Sequence, residues 1–113
     1  MNRKLAASIL ETQGKVILRC NGNSMQPIMS PGDSLHIMKV NHESLQVGDA
    51  VFCLINKNFQ VHKISAISDK GFQISNNRGY VNGTIKASNI YGLCVAVNDR
   101  AIVPQSRIPV HVD

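Results

Sequence analysis

Apolar and polar residues follow one another along most of the chain in short runs typical of β-strands. Turn-forming pairs such as Asn21-Gly22, Gly32-Asp33 and Gly48-Asp49 separate these runs. The predicted strands are 15–20, 34–40, 50–56, 59–67, 71–75 and 90–97. Several strands at short spacing predict a mainly β domain with a partly closed sheet.

The start of the chain has a different pattern. Residues 3–13, RKLAASILETQ, are mostly good helix formers, and Leu5 and Ile9 lie four positions apart with Leu10 beside them. We therefore expect one short amphipathic helix that ends near Gly14. The predicted organisation is a helix at 1–14, a β domain at 15–103, and a C-terminal tail or edge strand at 104–113.

Composition narrows the class of protein. The chain has 113 residues, of which 43% are hydrophobic, enough for one domain with one core. The net charge of +5 suggests a polyanion partner, but the basic residues are scattered and only 4% of residues are aromatic. A solvated basic surface is therefore favoured over a nucleic-acid groove, and we do not expect a nucleic-acid partner.

The cysteines and histidines indicate neither a disulfide framework nor a metal site. The three cysteines lie in or beside apolar runs, which predicts free thiols in a reducing compartment, and we expect a cytoplasmic location. No apolar run approaches the roughly eighteen residues that a membrane span needs. The four histidines share no ligand spacing, so no metal or other cofactor is expected: His36, His42, His62 and His111.

The stretch NGNSMQPIMSPGDSL (21–35) is the strongest candidate for chemistry. A serine nucleophile needs a constrained turn, backbone N–H groups for an oxyanion and a base within hydrogen-bond reach. Gly22 and Asn23 permit a tight turn before Ser24, and Pro27 limits any helix after it. Composition alone favours a plain surface loop over a nucleophile.

Four segments resemble a known peptidase clan. GNSMQPIMSPGDSLHI (22–37) resembles the nucleophile box shared by type I signal peptidases and LexA-type self-cleaving repressors. VGDAVFCLI (47–55), FQVHKISAI (59–67) and the segment 74–97 resemble later landmarks of these proteins, in the same order. The resemblance covers roughly residues 18–97, most of the chain. It implies a LexA/signal peptidase-like fold, a strongly bent and partly closed β-sheet with one short N-terminal helix.

The resemblance also assigns roles to residues. Ser24 matches the nucleophile, and His62 falls where bacterial signal peptidases and LexA-type proteins have a catalytic lysine. Endoplasmic-reticulum and archaeal signal peptidases have histidine there, in a Val-His-Arg setting that Val61-His62-Lys63 resembles. A neutral imidazole with a pKa of about 6.5 can accept the serine proton at neutral pH. His62 is thus the expected general base, and Lys63 matches the family's adjacent basic residue.

The resemblance to this peptidase clan also implies supporting roles for other residues of these segments. The Ser24 backbone N–H is the expected oxyanion donor, and Met25 is expected to pack beneath the loop. Candidates for oxyanion or loop support are Gly22, Asn23 and Met25. Structural turn positions are Pro27, Gly32, Asp33, Gly48 and Asp49.

The segment expected to orient the base is rich in asparagine. Histidine-type signal peptidases have aspartates in this turn, whereas this chain has Asn76, Asn77 and Asn82. An asparagine does not stabilise an imidazolium as a carboxylate does. Asp69 and Asp99 are the acidic residues considered as substitutes in space.

Two functions from different classes remain open. One is a serine endopeptidase with a Ser24–His62 dyad that cleaves an extended peptide laid against a strand edge. The other is a catalytically weak or inactive relative that serves as a phage- or plasmid-type regulatory or oligomerisation module, for example as a homodimer. No Ala-Gly or Cys-Gly bond precedes Ser24, and neither a membrane anchor nor a helix-turn-helix domain is recognised, so LexA-type self-cleavage and secretory cleavage are not expected.

Overall fold

A computed structural model, which describes residues 2–108, has one sheet of eight strands and a helix packed on it. The elements are α1 Arg3–Gln13, β1 Lys15–Arg19, β2 Ser34–Met38, β3 Ala50–Ile55, β4 Asn58–Ser68, β5 Gly71–Ser75, β6 Val81–Ile85, β7 Ile90–Val97 and β8 Arg100–Ala101. Short 3-10 turns span His42–Ser44, Ala87–Asn89 and Gln105–Arg107. The predicted mainly β class with one N-terminal helix is confirmed.

The strand order places non-consecutive strands side by side. It runs β1-β2-β7-β3-β4-β5-β6, with β8 paired to β7, and every pairing is antiparallel. Leu93 of β7 lies opposite Met38 of β2 on one side and Val51 of β3 on the other. Among residues 2–108, β1 and β6 each pair with one strand only, so the sheet is not closed.

Apolar side chains are buried on both faces of the sheet. Ala50 and Phe52 of β3 belong to one buried cluster, together with side chains of α1 and of the β1–β2 connection. Val51 and Cys53, which alternate with them, belong to a second cluster. A strand buried on both faces has a nearly continuous apolar sequence, which explains the run AVFCLI.

The helix α1 has a capping residue at each end. The Asn2 side chain accepts a hydrogen bond from the Lys4 N–H at 2.8 Å and thereby satisfies one of the unpaired donors of the first turn. At the other end Gly14 has a φ of 81°, a left-handed conformation that glycine adopts without steric penalty. The sequence prediction of a helix that ends near Gly14 is confirmed.

The buried face of α1 includes only part of the apolar pattern that predicts the helix. Ala6 and Leu10 are fully buried against the sheet, whereas Leu5 is 54% exposed and Ile9 is half-buried. Leu5, one of the apolar residues on which the helix prediction rests, therefore lies off the packing face. The small side chain of Ala6 allows a close approach to the sheet, and Leu10, one helical turn later, fills the core.

The segment after β8 is attached to the sheet by an ion pair. Gln105–Arg107 forms a 3-10 turn, and the Arg107 guanidinium donates to both Asp49 carboxylate oxygens at 2.8 and 2.6 Å. Asp49 is 6% exposed, so this contact anchors the segment beside the start of β3. The rest of the predicted tail or edge strand, residues 109–113, lies outside the described residues.

The three cysteines are free thiols. Cys53 and Cys94 are fully buried, and burial raises the pKa of each thiol to about 12. Cys20 is only partly buried.

From residue 2 to residue 108, no helix has the length and apolar character needed to cross a membrane.

Candidate active site

Ser24 lies in the connection between β1 and β2. The base of this connection is closed by two backbone hydrogen bonds of 2.8 Å, from the Cys20 N–H to the Asp33 carbonyl and from the Gly32 N–H to the Cys20 carbonyl. A loop closed at its base has fewer conformations available to it. The segment that carries Ser24 is therefore held at both ends.

Two methionines anchor the loop from beneath. Met25 and Met29 are 2% and 1% exposed and belong to the cluster that α1 also contacts. The Met25 carbonyl accepts hydrogen bonds from the Ile28 and Met29 N–H groups at 3.0 and 3.3 Å, which winds the chain into a turn directly after Ser24. Ser24 itself is half-buried, with its side chain at the edge of a cleft.

The residues before and after Ser24 shape this turn. Gly22 has a φ of 148°, and an added Cβ would meet no atom within 4 Å, so backbone conformation rather than space requires glycine here. Asn23 is exposed, and its carbonyl accepts the Gln26 N–H at 3.3 Å. Pro27 is also exposed.

Both Gly-Asp corners have the same local structure. Gly32 and Gly48 have φ values of 91° and 99°, and each is followed by an aspartate whose carboxylate accepts a backbone N–H from three residues earlier. Asp33 accepts from Ser30 at 2.8 Å, and Asp49 accepts from Gln46 at 2.9 Å. The hydrogen bond from Ser30 is the main reason that the pKa of Asp33 lies below its usual value.

The Ser24 hydroxyl and the His62 imidazole are within hydrogen-bond distance. Ser24 Oγ lies 3.1 Å from His62 Nε2, and His62 Nδ1 lies 3.0 Å from Asn82 Oδ1. The Asn82 oxygen can only accept, so Nδ1 carries the proton and Nε2 has a free lone pair directed at the serine hydroxyl. This is the tautomer that a general base needs.

Strand positions explain how His62 and Asn82 meet. His62 lies in β4 opposite Val51 of β3 and is 8% exposed. Asn82 lies in β6, the strand at the edge of the sheet beyond β5. Neither Asp69 nor Asp99, both exposed, contacts His62 within the described residues, so the side chain that faces Nδ1 is an uncharged amide.

The environment of His62 favours the neutral imidazole. Burial lowers the pKa of His62, the hydrogen bond to Asn82 opposes that shift, and the positive charge of Arg3 adds to it. The net direction is downward from 6.5. At neutral pH the ring is therefore unprotonated and able to accept a proton.

Lys63 has a different set of contacts. Consecutive residues of a strand project to opposite sides, and Lys63 Nζ donates to Asn77 Oδ1 at 3.0 Å. Asn77 in turn donates its backbone N–H to the Ser24 carbonyl at 2.8 Å and its side-chain amide to the Gln26 carbonyl at 3.1 Å. Lys63 and Asn77 thus support the backbone of the serine loop.

Asn76 organises the turn between β5 and β6. Its side-chain oxygen accepts the Arg78 and Tyr80 N–H groups, both at 2.9 Å, and its own N–H donates to the Tyr80 carbonyl. These bonds form an Asx-type turn. The three asparagines therefore have separate partners. Asn76 bonds within the turn, Asn77 bonds to the serine loop, and Asn82 bonds to His62.

A cleft of about 380 Å³ opens beside Ser24 and His62. Arg3 forms part of its wall, which no sequence pattern predicts because Arg3 is one of many scattered basic residues. Long-range packing of α1 brings it there.

Of the residues from 2 to 108, no three of His, Cys, Asp or Glu are grouped to hold a metal ion; His111 lies outside that range.

The fold is a mainly β sheet with one N-terminal helix, and it places a serine hydroxyl within hydrogen-bond distance of a histidine. The chain belongs to the Peptidase S24-like family, whose model matches residues 2–95. The matched range includes Ser24, His62 and Asn82 as well as α1 with Arg3. The family predicted from the four sequence segments is thereby confirmed. No curated protein matches the chain.

Proposed function

We propose that this domain is a serine endopeptidase in which Ser24 is the nucleophile and His62 is the general base. The observation that carries the proposal is the 3.1 Å approach of Ser24 Oγ to His62 Nε2, with Nδ1 bonded to Asn82 at 3.0 Å. A nucleophile, a base within hydrogen-bond reach and a third group that orients the base are the parts that acyl transfer requires. Family membership supports the same chemistry.

The proposed reaction proceeds by two acyl transfers. Ser24 Oγ attacks the scissile carbonyl carbon while His62 Nε2 accepts the hydroxyl proton, and the imidazolium then gives that proton to the leaving amine. Water, deprotonated by the same Nε2, attacks the acyl-serine ester; the bond to Ser24 Oγ breaks, Oγ takes the proton back from the imidazolium, and the second product is released as an acid. Throughout, Nδ1–H remains bonded to Asn82, which keeps the ring oriented.

The backbone of the serine loop supplies the expected oxyanion donor. Within the described residues, the Ser24 N–H donates to no other protein group. An unengaged N–H on the nucleophile's own residue is a common donor to the oxyanion of a tetrahedral intermediate. The Lys63–Asn77 contacts to this loop support the idea that the position of that N–H is fixed before substrate binds.

The substrate we expect is an extended peptide segment. The cleft is open, and extended peptides obtain affinity from main-chain hydrogen bonds to a strand edge, with pockets that take alternate side chains. One such side chain would occupy the cleft beside Ser24.

One observation favours a second candidate, a weakly active or inactive regulatory or oligomerisation module. The partner of His62 Nδ1 is a neutral amide, which stabilises a developing imidazolium far less than a carboxylate does. A relative that uses this domain for assembly, for example as a homodimer, would tolerate that loss.

Labelling with a fluorophosphonate, which phosphonylates activated serines with loss of fluoride, separates the two candidates. We expect labelling of the wild type, none of Ser24→Ala, and a rate lower by about 10²–10⁴ in His62→Ala because the base is lost. Ser30→Ala is the matched control, since it removes another hydroxyl from the same loop, and it should label like the wild type.

Equal labelling of the wild type and Ser24→Ala would exclude Ser24 as the nucleophile. A wild type that does not label, yet sediments as a stable dimer, would favour the assembly module.

A further inference from the structure

The cleft beside Ser24 combines an apolar floor with one cationic wall. The floor is formed by five side chains, Met25, Met29, Leu35, Phe59 and Val61. At about 380 Å³ the cleft is at the small end of ligand pockets, which span about 300–1,000 Å³, and it can hold a side chain of a bound peptide.

Three hydrogen bonds fix the Arg3 guanidinium in the wall. Nη1 donates to the Phe59 carbonyl at 3.1 Å, and Nη2 donates to the Arg19 carbonyl at 3.1 Å and to Asn21 Oδ1 at 3.0 Å. A guanidinium has five N–H donors, so two are left over. The group is already oriented before any ligand arrives, which lowers the entropy lost on binding.

The positive charge of Arg3 is not neutralised by its surroundings. Its three acceptors are uncharged oxygens, and the residues that line the cleft include no aspartate or glutamate among those described. The ion pairs of the described chain join Lys39 to Glu11 and Arg107 to Asp49. Burial lowers the pKa of Arg3, but an arginine stays charged at neutral pH.

We propose that Arg3 forms a subsite for the side-chain carboxylate of an acidic residue in the peptide substrate. The inference rests on the proposed function and names the substrate class of the same cleft. The guanidinium matches a carboxylate in charge, and its spare N–H donors can give it a charge-assisted hydrogen bond. Because the cleft is partly apolar, the ion pair is screened by water less than a pair on the open surface.

A purely structural role for Arg3 predicts a different result. The same hydrogen bonds join α1 to β1 and β4, so replacing Arg3 could change stability without affecting selectivity. Discrimination between glutamate and its uncharged analogue glutamine is the property that a structural role would not change.

The test measures that discrimination without catalysis. Ser24→Ala protein, immobilised, is offered two randomised peptide pools that differ only in having Glu or Gln at one central position, and bound peptides are quantified by mass spectrometry. We expect about a 10-fold preference for the Glu pool that falls to about 1 when Arg3→Gln is added. Added salt should weaken the preference.

Controls separate the subsite from general effects of charge. Lys4→Gln removes the same formal charge from the neighbouring position of α1 and should leave the preference unchanged. Arg3→Lys keeps the charge and should retain part of the preference, which provides a second variant if Arg3→Gln does not fold. Each pool is prepared with free and with amidated C-termini.

Equal binding of both pools to the Ser24→Ala protein would overturn the proposal, as would a glutamate preference that survives Arg3→Gln. Binding that depends only on a free C-terminus would also contradict it, because the carboxylate would then come from the chain end. Since the assay uses a variant without the nucleophile, failure of the subsite is distinguishable from failure of the peptidase, which the fluorophosphonate experiment measures.

Discussion

The side chain of Asn82 fixes the tautomer of His62 but contributes no charge. It accepts the Nδ1 proton at 3.0 Å, so Nε2 is left free toward Ser24. In the proposed acyl transfer the ring becomes positive, and burial without a carboxylate disfavours that state. Orientation of the base is thus provided, whereas electrostatic support of the imidazolium is not.

Replacing Asn82 with aspartate should raise the peptidase rate. We expect Asn82→Asp to increase fluorophosphonate labelling at least about 10-fold at pH 8, because a carboxylate stabilises the imidazolium. Asn82→Ala is the control, since it removes the acceptor as well and should slow the reaction below the wild-type rate.

The pH dependence of the same variants gives an independent check. The base must be neutral, and the pKa of His62 lies below 6.5 in the wild type, so the rate should fall only at pH values below that point. In Asn82→Asp the carboxylate raises the pKa of His62, and the acidic limb should move to higher pH. Identical pH–rate profiles for the two proteins would mean that His62 is not the titrating base.

At the residue scale, motif comparison identified the serine and the histidine but not the wall of the cleft. Ser24 and His62 are separated by 38 positions and are recognisable because each lies within a segment of family type. Arg3 has no such setting, since its place depends on how α1 packs against β1 and β4. Contacts made through tertiary packing leave no local pattern in the sequence.

At the scale of elements, apolar patterning predicted α1 and β1 to β5 as well as β7 to within a few residues at each end. It missed β6, Val81–Ile85, because Asn82-Gly83 is typical of a turn and only pairing with β5 keeps it extended. The pattern also does not identify the buried face of α1, since hydrophobicity alone does not show that a small Ala6 packs more closely than Leu5.

The two leucines of α1 provide a direct test of which helix face is buried. Leu10→Ala should lower the free energy of unfolding by about 2–5 kcal/mol because it leaves a cavity in the core. Leu5→Ala changes the same residue type on the same helix at an exposed position and should alter stability by no more than about 0.5 kcal/mol. Urea denaturation measures both values, and equal losses would contradict the observed packing.

At the scale of the whole molecule, the Arg107–Asp49 pair joins positions 58 residues apart. Arg107→Ala should lower the free energy of unfolding by about 1–3 kcal/mol, because the buried Asp49 carboxylate loses two charge-assisted hydrogen bonds. Arg78→Ala, at an exposed arginine in the β5–β6 turn, is the control and should have little effect.

A double-mutant cycle with Asp49→Ala measures the coupling of this pair. The double variant should lose less stability than the two single variants together, since removing both partners leaves no buried charge without a counterion. Strict additivity would show that the pair contributes nothing to the fold.

Asn82 is followed in the chain by Gly83, and an Asn-Gly pair is open to deamidation. In an Asn-Gly pair the glycine nitrogen can attack the side-chain amide with little steric hindrance, because glycine has no Cβ. Ammonia leaves, and water opens the resulting cyclic imide to aspartate or isoaspartate. The first product is the Asn82→Asp protein formed without mutation, and the second inserts an extra backbone carbon into β6. Deamidation at this position would therefore replace the amide partner of His62 with a carboxylate.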